Sequence, residues 1–503
     1  MLTAEQKISV NVIPVEILEY DNGSVAFLNP ELPTWVRTSI TGLWIYQYLK
    51  ENPGTFSEMV SAVANHYALP TDVVSEATIQ FLEEMRYNQF LTPQDADRKE
   101  GAYTISKVVE LSELNLQELS LDVNSLCFGT CGHCYKPRND IYHFPLRDLE
   151  DLLLQAKTLG VANLTISGGE PLLHPEFSCI MTLARTVSDW AIKVVTAGQG
   201  SSAETVDALM ENADIVQVSL DGIDEDTNDS IRGVGAFKSA VWLLKLLHEH
   251  RDRDRKKVGI AFTPLPQNID QMQELGEYGY VLDLDFLHFN HLSRPADLSR
   301  DVFDHSISSQ DLFKKSLQNF GQLTTKMWDE IRDVVLKGVR LISVNSSFAL
   351  HHDLFNLVKK RNCGAGITTL HVTEKGDVYP CAALQAFPET CLGNWVRERD
   401  MPELYGRARK WNESVFSVDV CHQCKTCHFR YVCGGGCRAR THSPTQPDIM
   451  CEAIMESYQE FFRFAEVLVL KGISAERLGL NSDRKAEAND DRWRSQLKLR
   501  QCT

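Results

Sequence analysis

From residue 118 to residue 290 the chain alternates short β-rich runs with amphipathic helical stretches. The runs are 118–123, 164–167, 192–196, 215–220, 258–262 and 286–290, and helical spacing marks 146–159, 203–212, 237–250 and 269–280 between them. Strands separated by a helix-length connection pair in parallel, because a hairpin is too short to return the chain in the same direction. The series therefore predicts an α/β fold, a parallel sheet or partial barrel whose working loops stand at the carboxyl ends of the strands. Periodicity alone does not say whether such a barrel is open or closed.

The first of those loops is 126–135, LCFGTCGHCY, with Cys127, Cys131 and Cys134 spaced Cys-x3-Cys-x2-Cys. Three thiolates on one tight loop can hold three corners of a [4Fe–4S] cube and leave the fourth iron free for substrate or cofactor. Taken alone, the three cysteines also suit half of a zinc site. The second run ends in Ser167-Gly168-Gly169-Glu170-Pro171. Two glycines there permit close backbone approach to a ligand, and the carboxylate can accept hydrogen bonds from an ammonium group.

With these two motifs at consecutive strand ends, residues 115–340 resemble the core of the radical S-adenosylmethionine (SAM) superfamily. The resemblance implies a partial (β/α)6 barrel, a SAM-binding [4Fe–4S] cluster on Cys127, Cys131 and Cys134, and SAM held by its amino group against Gly168, Gly169 and Glu170. It further implies a ribose contact at Ser219 and a carboxylate contact at Arg232, with Thr196 and Gln199 as further candidates. His133 stands where the family usually has an aromatic ring beside the adenine. The implied chemistry is one-electron cleavage of SAM to a 5′-deoxyadenosyl radical that takes hydrogen from an unactivated carbon, the protein supplying position and dryness. His291 and Arg294 follow the sixth run; a histidine there is more often structural, and neither is assigned a role.

A second cysteine array follows: Cys363, Gly376 and Cys381, then Cys424-x2-Cys427-x5-Cys433-x3-Cys437, then Cys451. It resembles the SPASM extension, here spanning 341–456, which implies two auxiliary [4Fe–4S] clusters. By that resemblance Cys424, Cys427, Cys433 and Cys451 hold the outer one, and Cys363, Cys381 and Cys437 the inner one. Thr369 stands where some relatives have an eighth cysteine, so the inner cluster has an open iron or recruits Cys391 or Cys421. Ala382 replaces the aspartate that directly follows the second SPASM cysteine in anaerobic sulfatase-maturating relatives, which points away from formylglycine formation. Fourteen cysteines in a chain with no visible export signal predict metal ligation in a reducing, cytoplasmic setting. Cys179 and Cys502 are read as bystanders.

Residues 1–100 read as a winged-helix-like α+β domain. Strands are expected at 8–13 and 24–28, and helices over 35–49, from Thr55, and from Thr71 with Val74, Ala77, Phe81, Leu82 and Met85 inward. Residues 25–91 resemble the PqqD-like family, the peptide-binding module also described as a RiPP recognition element. The resemblance implies that a leader peptide adds as a strand beside the last helix, with Ala26, Phe27 and Leu28 as the receiving edge. A plain winged helix used for packing or DNA binding is the alternative. Residues 95–101 suit a linker, and 457–503 suit a docking helix followed by a charged tail.

A net charge of −17 argues against a nucleic-acid partner. No run of about 18 apolar residues marks a membrane span. Together the three resemblances imply a maturase of ribosomally synthesised precursor peptides, performing oxidative crosslinking through a thioether, C–C or C–O bond. A flavodoxin- or ferredoxin-type protein would supply electrons. The alternatives are a peptide epimerase or splicease, or a SPASM oxidase acting on another protein or a cofactor precursor.

Overall fold

The computed structural model describes residues 7–10, 15–19, 23–29, 31–32, 34–93, 109–136, 141–250, 256–263, 265, 267–268, 271, 274–275, 284–290, 343–346, 358–440, 448, 451 and 454–455. His291, Arg294, Cys502, most of the 269–280 stretch and the whole of 457–503 lie outside them.

The amino-terminal domain comprises β1 (Lys7–Val10), β2 (Glu16–Glu19), β3 (Ser24–Leu28), β4 (Trp35–Ser39), α1 (Ile40–Glu51), β5 (Gly54–Thr55), α2 (Phe56–Tyr67), α3 (Thr71–Tyr87) and β6 (Leu91–Pro93). Among the described residues it contains two three-stranded sheets, β5-β1-β6 and β2-β3-β4. Helix α2 starts where the sequence indicates: Glu58 N donates to Thr55 Oγ1 (3.2 Å) and Thr55 N to Glu58 Oε2 (2.7 Å), a reciprocal capping box.

Two expectations fail here. Residues 35–39 form a strand rather than the first turn of a helix, because they pair along their full length with β3. Val36 is fully buried there, and β-branched Val36 and Thr38 suit a pleated surface. On α3, Val74, Thr78, Leu82 and Met85 are buried and Phe81 packs half-buried against the same core, while Ala77 faces solvent.

Among the described residues, the centre is one ten-stranded sheet. After the short β7 (Val109–Glu110) come β8 (Glu118–Asp122), α4 (Leu146–Thr158), β9 (Asn163–Ser167), α5 (Phe177–Val187), β10 (Ala191–Thr196), α6 (Ala203–Asn212), β11 (Ile215–Ser219), α7 (Glu225–Arg232), α8 (Ala236–His250), β12 (Lys257–Phe262), β13 (Phe286–Phe289) and β14 (Ser343–Ser346). Strands β8 to β14 lie side by side in chain order, all parallel. Leu119, Leu121, Leu164, Ile166, Ile192, Val194, Val216 and Val218 are buried, as expected of parallel strands covered on both faces. Helix α4 packs Leu149, Leu152, Leu153 and Ala156 inward, a single stripe at helical spacing.

The carboxyl region adds β15 (Val358–Lys359), β16 (Thr369–Val372), β17 (Asp377–Tyr379), β18 (Gly393–Asn394), α9 (Trp395–Glu398), α10 (Met401–Val415), α11 (His422–Lys425) and α12 (Arg430–Cys433). Strand β16 pairs in parallel with β8, and β17 and β18 continue the sheet antiparallel. The cysteine-rich region thus extends the edge of the central sheet beside β8. Trp395, Met401, Leu404 and Ala408 share the core of the central strands. No helix among the described residues is long and apolar enough to cross a membrane.

Candidate functional site

Strand β8 ends at Asp122, and the chain then turns across the carboxyl end of β9. Gly169 N donates to Asn124 O (2.7 Å), Glu170 N to Leu126 O (2.7 Å), and Asn124 Nδ2 returns a bond to Glu170 O (2.9 Å). The two motifs are therefore one structure. A Cβ at Gly168 would stand 2.6 Å from Asn124 O, and one at Gly169 would stand 2.5 Å from Leu126 O. These glycines are required by the approach of one backbone to the other, a role the sequence reading had given to a ligand.

The cysteine loop is bounded by Gln199 and by the end of α7. Phe128 N donates to Gln199 Oε1 (2.9 Å), which lies 3.9 Å from Cys127 Sγ. Thr130 N donates to Arg232 O (2.8 Å), and Cys131 Sγ lies 3.9 Å from the same oxygen. Within the loop, Gly129 N points at Cys127 Sγ (3.3 Å). A Cβ at Gly129 would stand 3.3 Å from Cys127 Sγ and 3.4 Å from Cys131 Sγ, so glycine keeps the space between the two sulfurs clear. Burial pushes the Cys127 thiol up to about 11, with Glu170 and the other two thiols adding to the effect; burial likewise raises Cys131. Neutral thiols packed this way give up their protons when a cationic centre binds. Among the described residues, no three His, Cys, Asp or Glu side chains close around a single ion. What the loop offers is a three-thiol donor set around a cleared space, which fits a cluster with one unliganded corner.

Glu170 is fully buried beneath this loop. Its Oε1 accepts from Thr196 Oγ1 (2.5 Å) and Leu172 N (3.2 Å), and its Oε2 from Ala197 N (2.7 Å). Burial raises its pKa to about 7, against the pull of those donors and of Arg232. The carboxylate is thus fixed by β10, and Oε2 retains a free lone pair.

Opposite stands Asp221, also fully buried. Its Oδ1 accepts from Thr263 N (2.6 Å); its Oδ2 lies 2.6 Å from Arg232 Nε and 3.5 Å from His133 Nε2. Burial brings His133 down to about 4, and Arg232 reinforces that shift while Asp221 opposes it. Ser219 ends β11, and Thr196 ends the neighbouring β10. Of the residues expected to touch SAM, the structure places Gly168, Gly169, Glu170 and Arg232 against the cysteine loop, together with Gln199.

The sequence reading missed the anchor on the other side of the loop. Lys136, one residue past Tyr135, reaches Asp122 Oδ1 (2.5 Å), Gly168 O (2.6 Å) and Ser167 Oγ (3.2 Å). Asp122 Oδ2 lies 3.3 Å from His371 Nε2 on β16, and Gln385 Nε2 stands 3.3 Å from the same ring nitrogen. One buried polar chain therefore joins the cysteine loop, the ends of β8 and β9, and the carboxyl region. A lysine following a cysteine loop was a visible signal, but its partner could be found only in three dimensions.

Comparison with known proteins follows from this geometry. Residues 123–279 match the family model described as the Radical SAM superfamily. That stretch is a radical SAM domain. The chain is 26% identical to the mycofactocin maturase MftC of Mycolicibacterium smegmatis, over 67% of this chain and 82% of that one. It is 27% identical to the PqqA peptide cyclase of Streptomyces rochei, over 65% of this chain and 85% of that one. The fold is similar to that of Streptococcus suis SuiB, crystallised with its precursor peptide SuiA. The TM-score is 0.52 at 17% identity, covering 90% of this enzyme and 99% of SuiB.

Seven cysteines of the carboxyl region form two groups. Cys363, Cys381 and Cys437 share an apolar shell with Ala365, Leu384, Phe387 and Ala439. Burial pushes Cys381 far above the ordinary thiol range, and Cys437 and Cys363 push it further. Cys424, Cys427, Cys433 and Cys451 form the other group: burial raises Cys433 to about 12, with Cys427 and Cys451 adding. Cys421 packs with Cys424 in the second group, and Cys391 Sγ is turned to Gly393 O (3.5 Å). Neither belongs to the apolar shell that holds the inner trio. Burial raises the phenol of half-buried Tyr135 to about 12, with Asp122, Cys134 and Cys381 adding to the effect and Lys136 opposing it.

One correction concerns the amino-terminal domain. Ala26, Phe27 and Leu28 cannot be a receiving edge, because β3 is the middle strand, paired with β2 on one side and β4 on the other.

Proposed function

We propose that this enzyme modifies a ribosomally synthesised precursor peptide, by oxidative crosslinking that forms a thioether, C–C or C–O bond. The observation that carries the reading is the likeness of fold over 90% of the chain to a protein crystallised with its precursor peptide. Maturase and cyclase relatives at 26–27% identity support it. Cys127, Cys131 and Cys134 would hold a [4Fe–4S] cluster, which with SAM supplies a hydrogen-abstracting 5′-deoxyadenosyl radical.

The chain's own residues have defined parts in that chemistry. Lys136 and the Asn124–Glu170 bonds fix the loop that binds the SAM amino group. Glu170 presents its remaining lone pair to that group, and Arg232, oriented by Asp221, offers its cationic nitrogens to the SAM carboxylate. Ser219 would meet the ribose. The seven thiols of the carboxyl region would hold two auxiliary clusters. The inner one lacks a fourth cysteine in its apolar shell. A flavodoxin- or ferredoxin-type donor in a reducing compartment would supply electrons.

A leader peptide would add to the edge of β4, which pairs only with β3 among the described residues, beside α3. The test is anaerobic incubation of the reconstituted enzyme with SAM, reductant and the short peptide encoded beside its gene. We expect a mass loss of about 2 Da in the peptide, as one new bond replaces two hydrogens, accompanied by 5′-deoxyadenosine. Nucleoside without any change in the peptide, in mass or in residue chirality, would refute peptide maturation.

A further inference from the structure

The outer face of the β2-β3-β4 sheet is closed by the outer cysteine group. Side chains alternate along β3: Val25 and Phe27 enter the core of the amino-terminal helices, while Ala26 and Leu28 point the other way. On that second face Ala26 and Leu28 are buried against Phe429 and Val432, with Leu18 and Trp35 completing the patch. Cys427 and Cys433 belong to the same apolar cluster. At its margin Arg430 Nη2 reaches Glu31 Oε1 at 2.6 Å. The arrangement along the chain is compact. Cys433 closes α12, Cys427 precedes that helix, and the residues between them make the contacts to the amino-terminal sheet.

We infer that the β2-β3-β4 sheet is a lid seated on the outer cysteine centre, so that filling this centre with iron and sulfide fixes the amino-terminal domain in place. The inference rests on the assignment of an outer cluster made above. Two ligands at fixed positions on a cube set the spacing of the turn between them, and with it the surface formed by Phe429 and Val432. An empty centre removes the bridge between Cys427 and Cys433 and leaves that turn to one-turn helices and their side-chain contacts, a weaker hold. In return, the apolar face of the sheet keeps water from Cys427 and Cys433, and exclusion of water is one of the means by which a protein tunes such a centre. Ala26 suits this place: its small side chain lets the sheet approach the cysteine turn closely. A peptide-binding domain built this way reports on the state of the auxiliary centre, and the centre on it.

Hydrogen exchange on the full chain tests the lid, comparing apo with anaerobically reconstituted protein. A Cys424→Ser/Cys427→Ser/Cys433→Ser/Cys451→Ser variant is treated in the same way. Filling the wild type should slow amide exchange across 24–28 and 35–39 by about tenfold, whereas the variant should show no such slowing. Wild type should also take up about four more irons than the variant. If that extra iron is bound and exchange over these strands is unchanged, the lid is refuted. If variant and wild type bind equal iron, the outer centre itself is wrongly assigned, and the lid falls with it.

Discussion

Gly129→Val is expected to empty the SAM-binding site while leaving the fold intact. A Cβ at this position already stands 3.3 and 3.4 Å from the sulfurs of Cys127 and Cys131, and 3.5 Å from Arg232 O. The two further methyl carbons of valine occupy the space a cluster would fill. The backbone at Gly129 is not among the glycines at positive φ, so the change is steric alone. Anaerobic reconstitution should therefore yield about four fewer irons per chain, one cube's worth, and no 5′-deoxyadenosine. Thermal melting of the apo protein should match wild type, because the loop lies outside the packed strands. A variant that binds full iron and cleaves SAM would show that the space between these sulfurs is not the cluster site.

Lys136→Met should have the largest effect on stability. Asp122 is almost completely buried, and its carboxylate rests on Lys136 and His371. Removing one partner of a buried pair leaves an uncompensated charge, which costs about 3–5 kcal/mol. Denaturant unfolding measures this loss directly. Gly168 O also loses its donor, so the SAM-binding loop slackens and affinity for SAM should fall about tenfold or more, as for a hydrogen bond to a charged group. Burial alone would raise the Asp122 pKa; Lys136 first and His371 next outweigh it and hold the carboxyl well below the usual range. With the folded pKa below the unfolded one, the stabilisation is complete above about pH 4 and is lost as pH falls through the folded value. Wild type should therefore lose its advantage over Lys136→Met on acidification. A variant equal to wild type in stability at neutral pH would contradict the anchoring role.

The central fold was legible because parallel strands buried on both faces must be apolar, and crossover helices must be amphipathic. The three-cysteine loop and the Ser167–Pro171 segment fell at the ends of the first two strands because their glycines and cysteines interrupt both patterns. Elsewhere local patterns misled. Trp35 to Leu49 keeps helical spacing, yet 35–39 is a strand, since pairing with β3 outweighs propensity. Ala26 to Leu28 reads as an extended run, and nothing in that run says whether a strand is central or at an edge. The same holds for β16, whose pairing with β8 brings His371 to Asp122 across most of the chain. Asp221 directly follows the 215–220 run, and nothing in the sequence marks it as the group that orients Arg232 and neighbours His133.

The central claim, that the Cys127–Cys134 loop and the Gly168–Glu170 segment form a SAM-cleaving centre, is tested most directly by one assay. The purified chain is reconstituted with iron and sulfide without oxygen, and 5′-deoxyadenosine is measured after adding SAM and reductant, in the presence of the precursor peptide. A Cys127→Ala/Cys131→Ala/Cys134→Ala variant is run beside it. Nucleoside from the wild type and none from the variant is the predicted result. Equal nucleoside from both, or none from a wild type carrying about twelve irons, would contradict it.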